Sequence, residues 1–125
     1  MTLLLRLVLD YWRSLTLLIL ASITTLSLWP LEHLPAVPGG DKLHHAVAYA
    51  MLMFPVALRR PRLWPLLGVF FLAWSGAIEL IQPYVNRYGE WGDMAANGSG
   101  LLIGFMFAAA TRAAIPSAAL VEPRS

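Results

Sequence analysis

The chain has 125 residues, 58% hydrophobic and only 13% charged, with a formal net charge of +2 and no cysteine. Its mean hydropathy of +0.64 sets it apart from soluble domains, in which about 25% of residues are charged, and indicates a single small integral membrane domain spanning residues 1–125. The missing cysteines exclude a disulfide framework, a thiolate metal site and a Cys nucleophile, and the basic excess has a topological use that needs no nucleic acid.

Apolar runs predict four transmembrane helices in chain order, giving an all-α bundle. The first covers about Leu15 to Trp29, the second Leu43 to Leu58, the third Leu63 to Tyr84 and the fourth Met94 to Ala110, against the ~20 residues needed to cross a bilayer. Pro55 makes the end of the second span uncertain. The connections PLEHLPAVPGGDK, RRPR and NRYGEWGD are short, which favours antiparallel neighbours. Arg6 and Arg13 ahead of an apolar run also fit a signal peptide, but the run lacks a clean small-residue cleavage site.

Lys and Arg counts orient the spans. With a cytoplasmic N-terminus, that side receives Arg6, Arg13, Arg59, Arg60, Arg62, Arg112 and Arg124, whereas the outer side receives only Lys42 and Arg87. Positive charge resists translocation, so both termini are expected to be cytoplasmic. Trp12 and Trp64 then fall at the inner interface and Trp29 and Trp91 at the outer one, where indole rings prefer to sit. Trp74 alone lies deep.

This topology gathers the polar residues at the outer end. Asp41, His45 and Tyr49 follow at i, i+4, i+8, Ser75, Glu79 and Gln82 at i, i+4, i+7, and Asp93 and Asn97 at i, i+4, so each set lies along one helix face. Ionisable groups are expensive in hydrocarbon and normally face one another or a wet cavity. Three stripes from three helices are therefore expected to converge on one pocket, to which Lys42 and Arg87 also belong. Ala96, Gly100, Gly104 and Ala108 recur every four residues as a ridge for close helix packing. The ridge is expected to make the fourth helix central, against the second or third span, and leaves a homo-oligomer open.

The joint pattern resembles the VanZ-like family. The matching residues are D-K-x-x-H-x-x-x-Y at Asp41, Lys42, His45 and Tyr49, E-x-x-Q at Glu79 and Gln82, and R-x5-D-x3-N-x2-G-x3-G from Arg87 through Asp93, Asn97 and Gly100 to Gly104. The resemblance covers about residues 41–104 and implies a small multi-pass protein of the bacterial inner membrane, related to low-level resistance to the glycopeptide teicoplanin. It implies no reaction.

Each residue also has a plainer role. Asp41 and Asp93 start helices after Gly40 and Gly92 and can serve as N-caps, Lys42 can snorkel to headgroups, and His45 can be a satisfied core histidine. His33 and His44 lack partners at useful spacing. Glu79 is the hardest to explain as structure, since an acidic residue on a span costs about 2.5 to 3.5 kcal/mol at the helix centre.

Three functions stay open. The pocket can bind an anionic lipid headgroup or a lipid-linked envelope precursor, with Arg87 and Lys42 on phosphate and Glu79 and Gln82 on sugar or amine groups. It can be an enzyme site in which His45 and Glu79 are base and acid and Arg87 stabilises negative charge. It can also be purely structural. No metal or cofactor is expected, since His45, Glu79 and Asp93 lack the close spacing of a ligand motif.

Overall fold

In a computed structural model, which describes residues 2–29, 41–85, 91–116 and 120, every extended element is helical. The elements are α1 (Leu3–Asp10), α2 (Trp12–Leu28), α3 (Asp41–Arg59), α4 (Trp64–Ile81), a 3₁₀ turn (Gln82–Val85) and α5 (Trp91–Ala114). The α4 segment with its 3₁₀ turn, Trp64–Tyr84, and α5, Trp91–Ala114, are each long and apolar enough to cross a membrane; α2 is apolar but shorter.

Local chemistry explains where the helices differ from the sequence expectation. The first apolar run is preceded by a separate helix, α1, capped by the Thr2 hydroxyl, which accepts from the Leu5 amide at 3.3 Å. Tyr11 (φ −112°, ψ 27°) separates α1 from α2. Pro55 does not end α3, which runs on to Arg59. Its cost falls on one missing N–H, in a stretch where Pro55 is buried among Val56, Ala57 and Leu58. Proline does act at the end of α4, where Pro83 lies in the tighter turn that closes the helix. The α5 helix begins at Trp91, three residues earlier than its apolar run, and Asp93 in its first turn faces the positive end of the helix dipole.

Side-chain contacts fix the helix directions. Lys42 meets Asp93, Ala46 meets Gly100, Ala50 meets Gly104 and Leu58 meets Arg112. Both numbers rise together, so α3 and α5 run parallel. Trp64 stacks on Phe105 and Ser75 meets Asn97, so α4 runs against α5. Thr24 with Trp74 and Ser27 with Gln82 make α2 parallel to α4. The four longer helices thus alternate in direction, as their short connections require.

The core is centred on α3, which supplies Tyr49, Leu52, Met53, Val56, Ala57 and Leu58 to the buried apolar cluster. It packs against all four other helices, whereas α5 packs chiefly on α3 and α4. The central helix is therefore α3 rather than α5, because α3 carries large apolar residues toward several neighbours and α5 presents a narrow ridge to one. That ridge fits closely: a Cβ on Gly100 or Gly104 would collide with the carbonyl of Ala46 or Ala50. Gly100, Gly104 and Ala108 are buried, and Ala96 is half-buried.

Burial is inverted relative to a water-soluble bundle. Leu17, Leu18, Leu66, Val69, Leu102 and Phe107 are exposed, whereas Ser75, Glu79, Gln82, Asp93 and Asn97 are buried. A surface of this kind suits contact with hydrocarbon.

Candidate functional site

The buried polar side chains collect where α3 and α5 begin and α4 ends. Close backbone approach along Ala46 and Gly100 brings the first turns of α3 and α5 within hydrogen-bonding range. Lys42 Nζ donates to Asp93 Oδ1 at 3.2 Å, with the lysine side chain 54% exposed and the aspartate 9%. Gly92 makes room for this contact, since a Cβ there would stand 2.9 Å from Lys42 Cε. The ammonium is thus the water-facing edge of a site whose carboxylate lies inside.

His45 lies between two α5 side chains one turn apart. Its Nδ1 is 3.0 Å from Asn97 Oδ1, and its Nε2 is 3.7 Å from Asp93 Oδ2. The Asn97 amide also donates to Ser75 Oγ on α4 at 2.7 Å, which turns its carbonyl oxygen toward the imidazole. In this arrangement Nδ1–H donates to Asn97, leaving Nε2 to face the carboxylate.

The network continues from Ser75 to the Tyr49 hydroxyl, which shares a hydrogen bond with Ser75 and lies within Coulombic range of Glu79. A continuous polar chain therefore runs from Lys42 through Asp93, His45, Asn97, Ser75 and Tyr49 toward Glu79. Glu79 is only 4% exposed, and Gln82 sits next to it toward the helix end at 1%. Gln82 Nε2 donates to the Ser27 carbonyl of α2 at 3.0 Å, and its Oε1 is buried without a hydrogen-bond partner among the described residues.

Of the residues singled out from sequence, Lys42, His45, Asp93 and Asn97 meet directly, Tyr49 joins them through Ser75, and Glu79 and Gln82 border the same buried region. The Asp41 side chain and all of Arg87 lie outside the described residues. Among the described residues no group of three His, Asp or Glu side chains is arranged to hold a metal ion. Two participants were not among the singled-out pocket residues. Ser75 was visible as the inner member of the α4 stripe, and its hydroxyl is what joins Asn97 to Tyr49. The Ser27 carbonyl had no sequence signal.

A second polar link lies deeper. Trp74 Nε1 donates to Thr24 Oγ1 at 2.9 Å, and Thr24 in turn donates to the Leu20 carbonyl at 2.8 Å. The indole is half-buried, its N–H needs an acceptor there, and α2 provides it.

No family model matches the chain, and comparison with curated proteins and with solved structures gives no significant match.

Proposed function

We propose that this chain is a four-span, VanZ-like protein of the bacterial inner membrane. Its polar end faces outward and binds the anionic headgroup of a membrane lipid or a lipid-linked envelope precursor. Both termini are then cytoplasmic. The observation that carries this reading is the buried cluster of Glu79, Gln82, Asp93 and Asn97, opening onto the exposed ammonium of Lys42.

The physical argument is one of cost. Interhelical hydrogen bonds in membranes contribute on average only about 0.6 kcal/mol, which offsets little of what so many buried polar groups cost, so a bound ligand is the economical reason for their presence. The cluster also matches a ligand with both charges and hydroxyls. Lys42 supplies a donor to phosphate, and Arg87 joins it on the strength of the family pattern. Gln82 Oε1 supplies an acceptor for a sugar hydroxyl or an amine. Seven Lys and Arg residues against two across the spans support the outward orientation, and the resemblance ties the protein to the cell envelope and to teicoplanin susceptibility.

One contact favours a second reading, an enzyme acting on the same headgroup. The sequence paired His45 with Glu79, but the carboxylate that faces the imidazole is Asp93, 3.7 Å from Nε2, so in this reading His45 and Asp93 are the acid–base pair. The test is lipid extracted with protein purified in mild detergent and identified by mass spectrometry. Wild type should retain a phosphate-bearing lipid, and Glu79→Gln should accumulate normally but retain less of it. A Glu79→Gln protein that fails to accumulate supports a structural role instead. Conversion of the lipid during incubation identifies the enzyme.

A further inference from the structure

The opposite end of the bundle carries a second set of polar groups that the proposed pocket does not use. The α3 helix ends at Arg59, and Arg60 follows in the left-handed conformation (φ 54°), its amide bonded to the Val56 carbonyl at 2.7 Å. Glycine normally takes this position, and any other residue there costs roughly 1 to 2 kcal/mol. The arginine uses the conformation to place its guanidinium over two rings at once, 5.4 Å from the Trp64 centroid and 5.5 Å from that of Phe105. Those rings are themselves stacked at 5.1 Å.

Other cations gather round it. Arg112 of α5 donates to the Leu58 carbonyl at 2.6 Å, and this holds it beside Arg59 and Arg60 against their mutual repulsion. Exposed Arg62 lies two residues further on. The Arg60 Nε is buried and has no hydrogen-bond partner among the described residues. A fixed donor amid like charges is the arrangement that an anion relieves.

An apolar groove of about 360 Å³ begins at the same place. It is bounded by Trp64, Gly68 and Leu72 of α4, Gly98 and Leu101 of α5 and Met53 of α3. Trp64 belongs both to the groove wall and to the ring pair beneath Arg60. From Trp64 to Leu72 is eight residues, about 12 Å along the helix, so the groove runs lengthwise from the arginine end toward the middle of the bundle. A charged head at one end and a hydrocarbon channel leading from it match a single kind of molecule.

We infer that Arg60, with Arg112 and the neighbouring arginines, holds the phosphate of an anionic phospholipid, one of whose acyl chains occupies the groove between α4 and α5. Basic pockets between membrane helices bind anionic headgroups in this way. The inference rests on the membrane reading but not on the proposed pocket, from which Lys42 to Arg59 separates it by about 26 Å at 1.5 Å per residue.

The experiment is a set of thermal melts of the full chain in a neutral detergent, with added phosphatidylglycerol, phosphatidylcholine or inorganic phosphate. Phosphatidylglycerol should raise the midpoint by several degrees, and the other two should leave it unchanged. Arg60→Gln should lose the rise. So should Gly68→Leu, which fills the groove from a position where a Cβ meets only the Met53 side chain, at 3.7 Å, while Leu18→Ala, on the exposed face of α2 and outside the groove lining, should keep it. An equal response to phosphatidylcholine, a response to inorganic phosphate alone, or a full response from Arg60→Gln overturns the proposal. If Arg60→Gln does not fold, Gly68→Leu decides: a retained rise overturns the site, and a lost rise supports it.

Discussion

The backbone of α5 at Gly100 lies against the carbonyl of Ala46 on α3, with Ala46 C only 2.9 Å from where a Cβ would stand. The neighbour is backbone inside a helix and cannot turn aside as a flexible side chain can. Gly100→Ala should therefore push α3 and α5 apart and destabilise the protein by about 1 to 3 kcal/mol, the usual range for overpacking. Gly98→Ala is the matched control, since a Cβ there meets Leu72 Cδ1 at an ordinary 3.5 Å, and should be neutral or slightly stabilising. Denaturation of the two variants in the same detergent checks the difference.

The same approach holds His45 against Asn97. Because Asn97 bridges α3 and α4 through His45 and Ser75, the effects of His45→Ala and Asn97→Ala should not add. A double-mutant cycle on stability should show a coupling of about 0.5 to 1.5 kcal/mol. Additivity within error would mean that the contact does not form in the membrane.

Trp74 and Thr24 offer a test away from the pocket. Thr24→Val preserves shape but leaves the half-buried indole N–H without its acceptor, so a loss of about 1 kcal/mol is expected. Adding Trp74→Phe, which removes the donor, should restore part of the loss. Melting curves of the single and double variants give the comparison.

Orientation is accessible because the chain has no cysteine of its own. Tyr84, at the polar end, and Arg62, at the arginine end, are both exposed. With single cysteines at these positions, a membrane-impermeant thiol reagent should label Tyr84→Cys in intact cells and Arg62→Cys only after lysis. The reverse pattern would invert the protein and turn the proposed pocket to the cytoplasm.

Sequence periodicity exposed much of this arrangement and missed some of it for definable reasons. The i, i+4 spacing of Asp93 and Asn97, and His45 one turn inside α3, made their shared depth readable, because helical geometry fixes which residues share a face. The ridge at Gly100 and Gly104 was readable too, since only small residues allow such approach. Its partner was not, because the sequence left two helices eligible and did not reveal that α3 carries the core. Residues 3–10 lie ahead of the first apolar run at Leu15 and carry charges of their own, so hydropathy gave them no element, and the break at Tyr11 is a property of backbone geometry. Pairing His45 with Glu79 followed from their similar depth, but depth does not fix the angle around the bundle axis, and Asp93 on the parallel neighbour α5 faces the ring instead. Arg60 was legible as a topological charge but not as a clamp over Trp64 and Phe105, which depends on its positive φ.

The central claim is that the buried polar end holds a lipid headgroup, and phosphorus-31 NMR of the purified protein with its retained lipid tests it most directly. In an Arg60→Gln background, which removes the arginine-end site, a nitroxide at Tyr84→Cys should broaden the retained phosphorus resonance strongly, whereas one at Arg62→Cys, near the far end of the bundle, should leave it sharp. A resonance broadened only from position 62, or no retained phosphorus at all, would contradict the account.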